Sequence, residues 1–78
     1  LALALAEARA ALSAAGTTLR APSPVPELPG PVDAVLGWVV REATTNTLRH
    51  SGARTVTVEL SRAAEEVGLT VTDDGRGP

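Results

Sequence analysis

Between Val32 and Val71 the spacing of apolar residues changes once, and the change falls at Ser51-Gly52. Before it, Val32, Val35, Leu36, Val39, Val40, Ala43 and Thr47 recur every three or four residues, which buries one side of a helix. After it, Val56, Val58 and Leu60 alternate with Thr55, Thr57 and Glu59, and Val67, Leu69 and Val71 repeat the alternation, which buries one face of two strands. The spacing predicts a helix over residues 31–50 and strands over 54–61 and 66–72. Gly30 and Pro31 open the helix, with Asp33 toward the positive end of its dipole. The short connection from Ser61 to Glu66 allows an antiparallel hairpin, although it lacks a strong turn dipeptide such as Asn-Gly.

The N-terminal half adds two elements and a loop. Residues 1–16 are alanine-rich with leucines at 1, 5 and 12, good helix formers that stop at Gly16. Residues 17–20, bounded by Gly16 and Pro22, read as a brief strand. Prolines at 22, 24, 26 and 29 keep residues 21–30 out of regular hydrogen bonding. Helix, strand, helix, strand, strand in this order predicts an α/β fold, a two-layer sandwich with helices on one sheet face.

Composition narrows the function. The 78 residues carry no cysteine and a formal charge of -2, as expected of one domain from a reducing compartment. With a pI near 5.2 and no basic run, nucleic acid is not an expected partner. The apolar run at Leu1–Leu5 is far shorter than the roughly 20 residues that span a bilayer. The chain begins without methionine and stops after Gly77-Pro78, which reads as part of something longer.

Two segments carry the chemistry. Glu42, Asn46 and His50 are four residues apart, so on a helix each lies one turn on, displaced by only about 40°. Three polar groups thus share one stripe. The second segment, Thr70-Val71-Thr72-Asp73-Asp74-Gly75-Arg76-Gly77, sets a carboxylate at a strand mouth and two glycines beyond it, where backbone turns sharply or approaches a ligand. A polar stripe and a glycine-flanked carboxylate together read as a nucleotide site.

Glu42-x-x-x-Asn46 followed by Asp73-x-Gly75-x-Gly77 resembles the N-box and G1-box of the Bergerat-type ATP-binding fold, shared by sensor histidine kinases and gyrase. Residues 36–53, Leu-Gly-Trp-Val-Val-Arg-Glu-Ala-Thr-Thr-Asn-Thr-Leu-Arg-His-Ser-Gly-Ala, resemble the bacterial sensor histidine kinases that pair with LuxR-type response regulators, and residues 6–16 are similar to the start of the same domain. The resemblance makes the chain, 1–78, the N-terminal part of one catalytic ATP-binding domain. It would be an incomplete Bergerat sandwich with helices on one face of a mixed sheet, residues 73–78 being the G1-box and the start of an ATP lid. The later glycine box, a further helix and additional strands of that family are absent from these residues.

The resemblance also implies roles. Asn46 coordinates Mg²⁺ bridging the phosphates of ATP, Glu42 positions a metal-bound water, and His50 lies near the phosphates. Asp73 accepts a hydrogen bond from the adenine amino group, and Gly75 and Gly77 begin the lid. Glu42 and His50 are thus the candidate catalytic residues. The implied partners are the dimerisation and phosphoacceptor domain of the same kinase, a second copy in a full-length homodimer, and a LuxR-type response regulator. The setting would be cytoplasmic, with or without a membrane anchor on the whole kinase. His50 is not the phosphorylated histidine, which in this family lies on a separate dimerisation helix before an acidic residue, so these residues alone are expected to be inactive.

The residues by themselves leave plainer alternatives open. Asn46 can be a solvent-facing polar residue, Glu42 a charge paired with Arg41 or Arg49, His50 a donor at a helix C-terminus, and Asp73 the acceptor of an Asx-turn. Trp38, one turn before Glu42, either floors the site or covers the helix border, and packing is the favoured reading. Asp74 is expected to face solvent. Two other functions fit the same boxes: an anti-sigma-factor serine kinase of this fold, and a non-catalytic nucleotide-binding or interaction domain.

Overall fold

The computed structural model describes residues 1–64 and 66–75, with the backbone alone at His50 and Ser51. The elements are α1 (Ala2–Ala14), β1 (Thr18–Arg20), α2 (Gly30–Asn46), a π-helical turn (Thr47–Ser51), β2 (Thr55–Ala63) and β3 (Glu66–Asp73). β1 pairs parallel to β2 with Leu19 opposite Val56, and β2 pairs antiparallel to β3 with Val58 opposite Val71 and Leu60 opposite Leu69. The sheet is therefore mixed, in the order β1-β2-β3. A parallel pair needs a crossover, and α2 supplies it.

α1 ends because Gly16 turns left-handed, at φ 82°. Its amide donates to Ser13 O and the Thr17 amide to Leu12 O, a Schellman closure that satisfies two terminal carbonyls. The chain enters β1 at once. There the Thr17 hydroxyl donates to Ala53 O at 2.8 Å and the Thr18 amide to Arg54 O at 2.8 Å. α2 opens with Pro31 in its first turn and Asp33 nearby, as its sequence requires. Asp33 Oδ1 also accepts from the backbone nitrogen of Leu1 at 2.6 Å, tying the starts of the two helices together.

One core joins the layers. Leu1 and, in α1, Ala4, Leu5, Ala8 and Leu12 meet Leu36 and Val40 of α2 and Leu19, Val56 and Val58 of the sheet. Leu12 is fully buried and Val40 is 2% exposed. Each such side chain contributes roughly 1.5–3 kcal/mol of transfer free energy. The opposite sheet face carries Thr55, Thr57 and Glu59 and is not part of this cluster. Both helices consequently lie on one face, as the order of elements predicts.

Three details depart from the sequence reading. The helix over 31–50 stays α-helical only to Asn46 and then widens into the π turn. The hydroxyls of Thr44 and Thr45 donate back to the carbonyls of Val40 and Arg41, at 2.7 and 3.0 Å, and such bonds loosen the ladder just before it widens. Gly52, at φ 63°, ends the turn in the left-handed conformation. The hairpin is tighter than its sequence indicates, since Ala63 pairs with Glu66 and the turn residue Ala64 takes φ 52°. Finally, Val35 and Trp38, expected to be buried or packed, are each 61% exposed. They lie one turn apart on a side of α2 that neither α1 nor the sheet covers.

Candidate functional site

The exposed stripe of α2 is continuous. Val35, Trp38, Glu42 and Asn46 follow at intervals of three, four and four residues, so their side chains leave one side of the helix, and all four are exposed. The polar pair Glu42 and Asn46 thus sits where the spacing predicts, beside the buried face of Leu36 and Val40. Arg41 does not turn to Glu42; its guanidinium lies 3.7 Å from Glu7 of α1. His50 falls in the π turn, where the regular drift of the stripe stops. Its side chain, and Arg76 and Gly77 after β3, lie outside the described residues.

The sheet brings the second segment to the same end of the molecule. At one end, Pro31, Val32, Val35 and Leu36 of early α2 line a groove with Val67 of early β3. At the other, the chain leaving α2 through Gly52 reaches Arg54 and Thr55, and both backbone amides are bonded to Asp74 just after β3. α2 and β3 therefore run the same way. The exit of α2, through the π turn that follows Asn46, and the exit of β3, at Asp73, are thus directed toward the same end of the two layers.

Asp73 and Asp74 do different work there. Asp73 closes the register opposite Val56, and its Oδ1 accepts the Gly75 amide at 2.9 Å, the local turn that its sequence allows. Asp74 is exposed, as expected, yet its Oδ1 accepts from Arg54 at 2.8 Å and Thr55 at 3.0 Å. These two amide bonds, Thr55 first, hold its carboxyl below the ordinary aspartate range, helped by the Arg54 charge. The sequence reading missed this role, because alternation says only which way a strand residue points. The available signal was a second acidic residue directly before the glycine of a strand exit.

Among the described residues no three histidine, cysteine or acidic side chains converge as a metal cluster. No helix there is long and apolar enough to cross a membrane.

No family model matches the chain. Three curated relatives align with it in part. The sensor histidine kinase NarS of Mycobacterium tuberculosis is 46% identical over 46 residues, which cover 59% of this chain and 11% of that protein. The sensor histidine kinase DesK of Bacillus subtilis is 42% identical over 41 residues, 53% of this chain and 11% of its own length. The sensor protein VraS of Staphylococcus epidermidis is 39% identical over 51 residues, 65% and 15% respectively. The chain thus spans between 11% and 15% of the length of these relatives. Over these short segments the chain is similar to sensor histidine kinases.

Proposed function

We propose that residues 1–78 are the N-terminal part of the catalytic ATP-binding domain of a sensor histidine kinase. In this reading the whole kinase phosphorylates a histidine on its own dimerisation domain and passes the phosphoryl group to an aspartate of a LuxR-type response regulator. The observation that supports the reading is topological: the chain leaving α2 reaches Arg54 and Thr55, whose amides bond Asp74, so the exit of the helix bearing Glu42 and Asn46 is tied to the exit of the strand bearing Asp73. Partial identity to NarS and DesK supports it independently.

The donors fit the ligands. Asn46 offers a neutral amide oxygen and Glu42 a carboxylate, both exposed and one turn apart. That sparse oxygen set suits Mg²⁺, which keeps several waters and is held by few protein groups together with substrate phosphates. When bound, the ion neutralises charge on the transferring phosphoryl group. Asn46 is the metal ligand, Glu42 orients a water of its shell, and Asp73, fixed by the Gly75 turn, receives the adenine amino group. The resemblance further assigns Gly75 and Gly77 to the start of the lid and His50 to the phosphates; Gly77 and the His50 side chain lie outside the described residues. The phosphoacceptor, the second copy of a homodimer and the response regulator meet this domain from outside these residues, in the cytoplasm.

The test is transfer itself. The full-length polypeptide carrying these residues, incubated with Mg²⁺ and γ-labelled ATP, should acquire an acid-labile phosphoryl group on a histidine outside residues 1–78. Mass spectrometry placing the group on His50, or on a serine of a separate substrate, would overturn the assignment.

A further inference from the structure

The last rung between β2 and β3 is made in an unusual way. As the register continues past Asp73 opposite Val56, Asp74 comes to stand opposite Thr55, and its amide donates to Thr55 O at 3.2 Å. In a regular antiparallel pair the return bond would run from the Thr55 amide to the main-chain carbonyl of its partner. Here the Thr55 amide donates instead to the Asp74 side chain at 3.0 Å, and the Arg54 amide donates to the same oxygen at 2.8 Å. The carboxylate closes the ladder, which leaves the main chain free to depart from the sheet at this residue. It departs into the turn in which the Gly75 amide donates to Asp73 Oδ1.

The other side of Arg54 is fixed as well. Its carbonyl accepts from Thr18, and that of Ala53 accepts from the buried Thr17 hydroxyl. The segment 53–55 is thus held by β1 on one side and by Asp74 on the other, immediately after the left-handed Gly52 that ends the helix bearing Asn46. Asp74 bonds the exit of β3 to the exit of α2, the two elements whose ends carry the candidate nucleotide contacts.

We propose that Asp74 is a positioning residue for nucleotide binding: its carboxylate replaces a main-chain carbonyl at the final rung, fixing Asp73 relative to Asn46 and setting the direction in which the chain leaves at Gly75. This rests on the ATP-binding reading above. Asp74 touches no ligand itself. The role depends on an oxygen acceptor at one place, not on its charge, so the conservative variants separate it from alternatives. Asp74→Asn keeps Oδ1 where it is and removes the charge. Asp74→Glu keeps the charge and moves the oxygens one methylene outward. Asp74→Ala removes both.

The experiment is titration of Mg-ATP into the full-length polypeptide by calorimetry, with amide exchange at Arg54 and Thr55 measured on the same variants. Asp74→Ala and Asp74→Glu should weaken binding roughly five- to tenfold, as loss of an ordinary hydrogen bond implies, while Asp74→Asn, which keeps the acceptor, stays within about twofold of the parent. The Arg54 and Thr55 amides should exchange faster in the first two only. Parent-like affinity in Asp74→Glu with loss in Asp74→Asn would show that charge matters and overturn the proposal. Unchanged affinity in both Asp74→Ala and Asp74→Glu would also overturn it, leaving the ATP-binding reading intact. If Asp74→Ala does not fold, the Asn and Glu pair decides alone. Failure of the parent to bind Mg-ATP removes the functional reading and this proposal with it.

Discussion

Asp73 and Asp74 are chemically identical neighbours that the backbone sets to different tasks, one on its own turn and one across the sheet. The lowered Asp74 pKa makes a pH prediction at this scale. A carboxylate whose folded pKa lies below its unfolded value, about 3.9, contributes stability that is complete above that value and lost as pH falls through the folded pKa. The charge beside it is Arg54, which favours the ionised form. We therefore expect the Arg54 and Thr55 amide resonances to move together with a midpoint below the ordinary aspartate range, and to show no such step in Asp74→Asn. A midpoint at or above the ordinary aspartate value would contradict the bonds from Arg54 and Thr55 to Asp74. Of the candidate site, the placement of Glu42 and Asn46 one turn apart on an exposed helix side, and of Asp73 at a strand end, was legible because a four-residue helical spacing and the end of a strand alternation are local facts. The Asp74 contact was not, because its partners are 19 and 20 residues away and no periodicity encodes a side chain standing in for a carbonyl.

The elements were legible where one period persists. α1, α2 and the two strands of the hairpin follow from leucine, valine and alanine spacing, and the cross-strand pairs Val58–Val71 and Leu60–Leu69 unite the two apolar faces as the alternation requires. The misreadings sit where period gives no instruction. The π turn depends on back-bonded threonines and a left-handed Gly52, and the exposure of Val35 and Trp38 depends on which neighbour lies over a helix side. Helix packing offers two tests. Leu12 is fully buried between the layers, so Leu12→Ala should cost about 2–5 kcal/mol in urea unfolding. Loss of less than about 1 kcal/mol would mean that α1 is not part of the core. Gly37 is buried against α1, and a Cβ there would lie 3.6 Å from the Cβ of Ala4, an ordinary contact. Gly37→Ala should therefore stabilise by about 0.5–1 kcal/mol through helix propensity, and a lowered midpoint would show that the helices cannot accept the methyl.

For the molecule as a whole, a 78-residue chain buries only about 60% of its unfolded surface, so its core is small and every element at its border counts. β2 is central, with Val56 and Val58 buried, whereas β3 is an edge strand whose Val67, Leu69 and Val71 are only partly covered. A nucleotide that binds only the folded state would add to stability by mass action, about 2.7 kcal/mol at a hundredfold excess over Kd. The central claim is that Asn46 on the helix end and Asp73 on the strand end serve one nucleotide. Calorimetric titration of the full-length polypeptide with ATP, with and without Mg²⁺, tests it most directly. The account predicts that Asn46→Ala weakens binding about tenfold or more with Mg²⁺ and little without it, and that Asp73→Asn erodes the preference for ATP over GTP. Affinity unchanged in both variants, with the parent binding Mg-ATP normally, would contradict it.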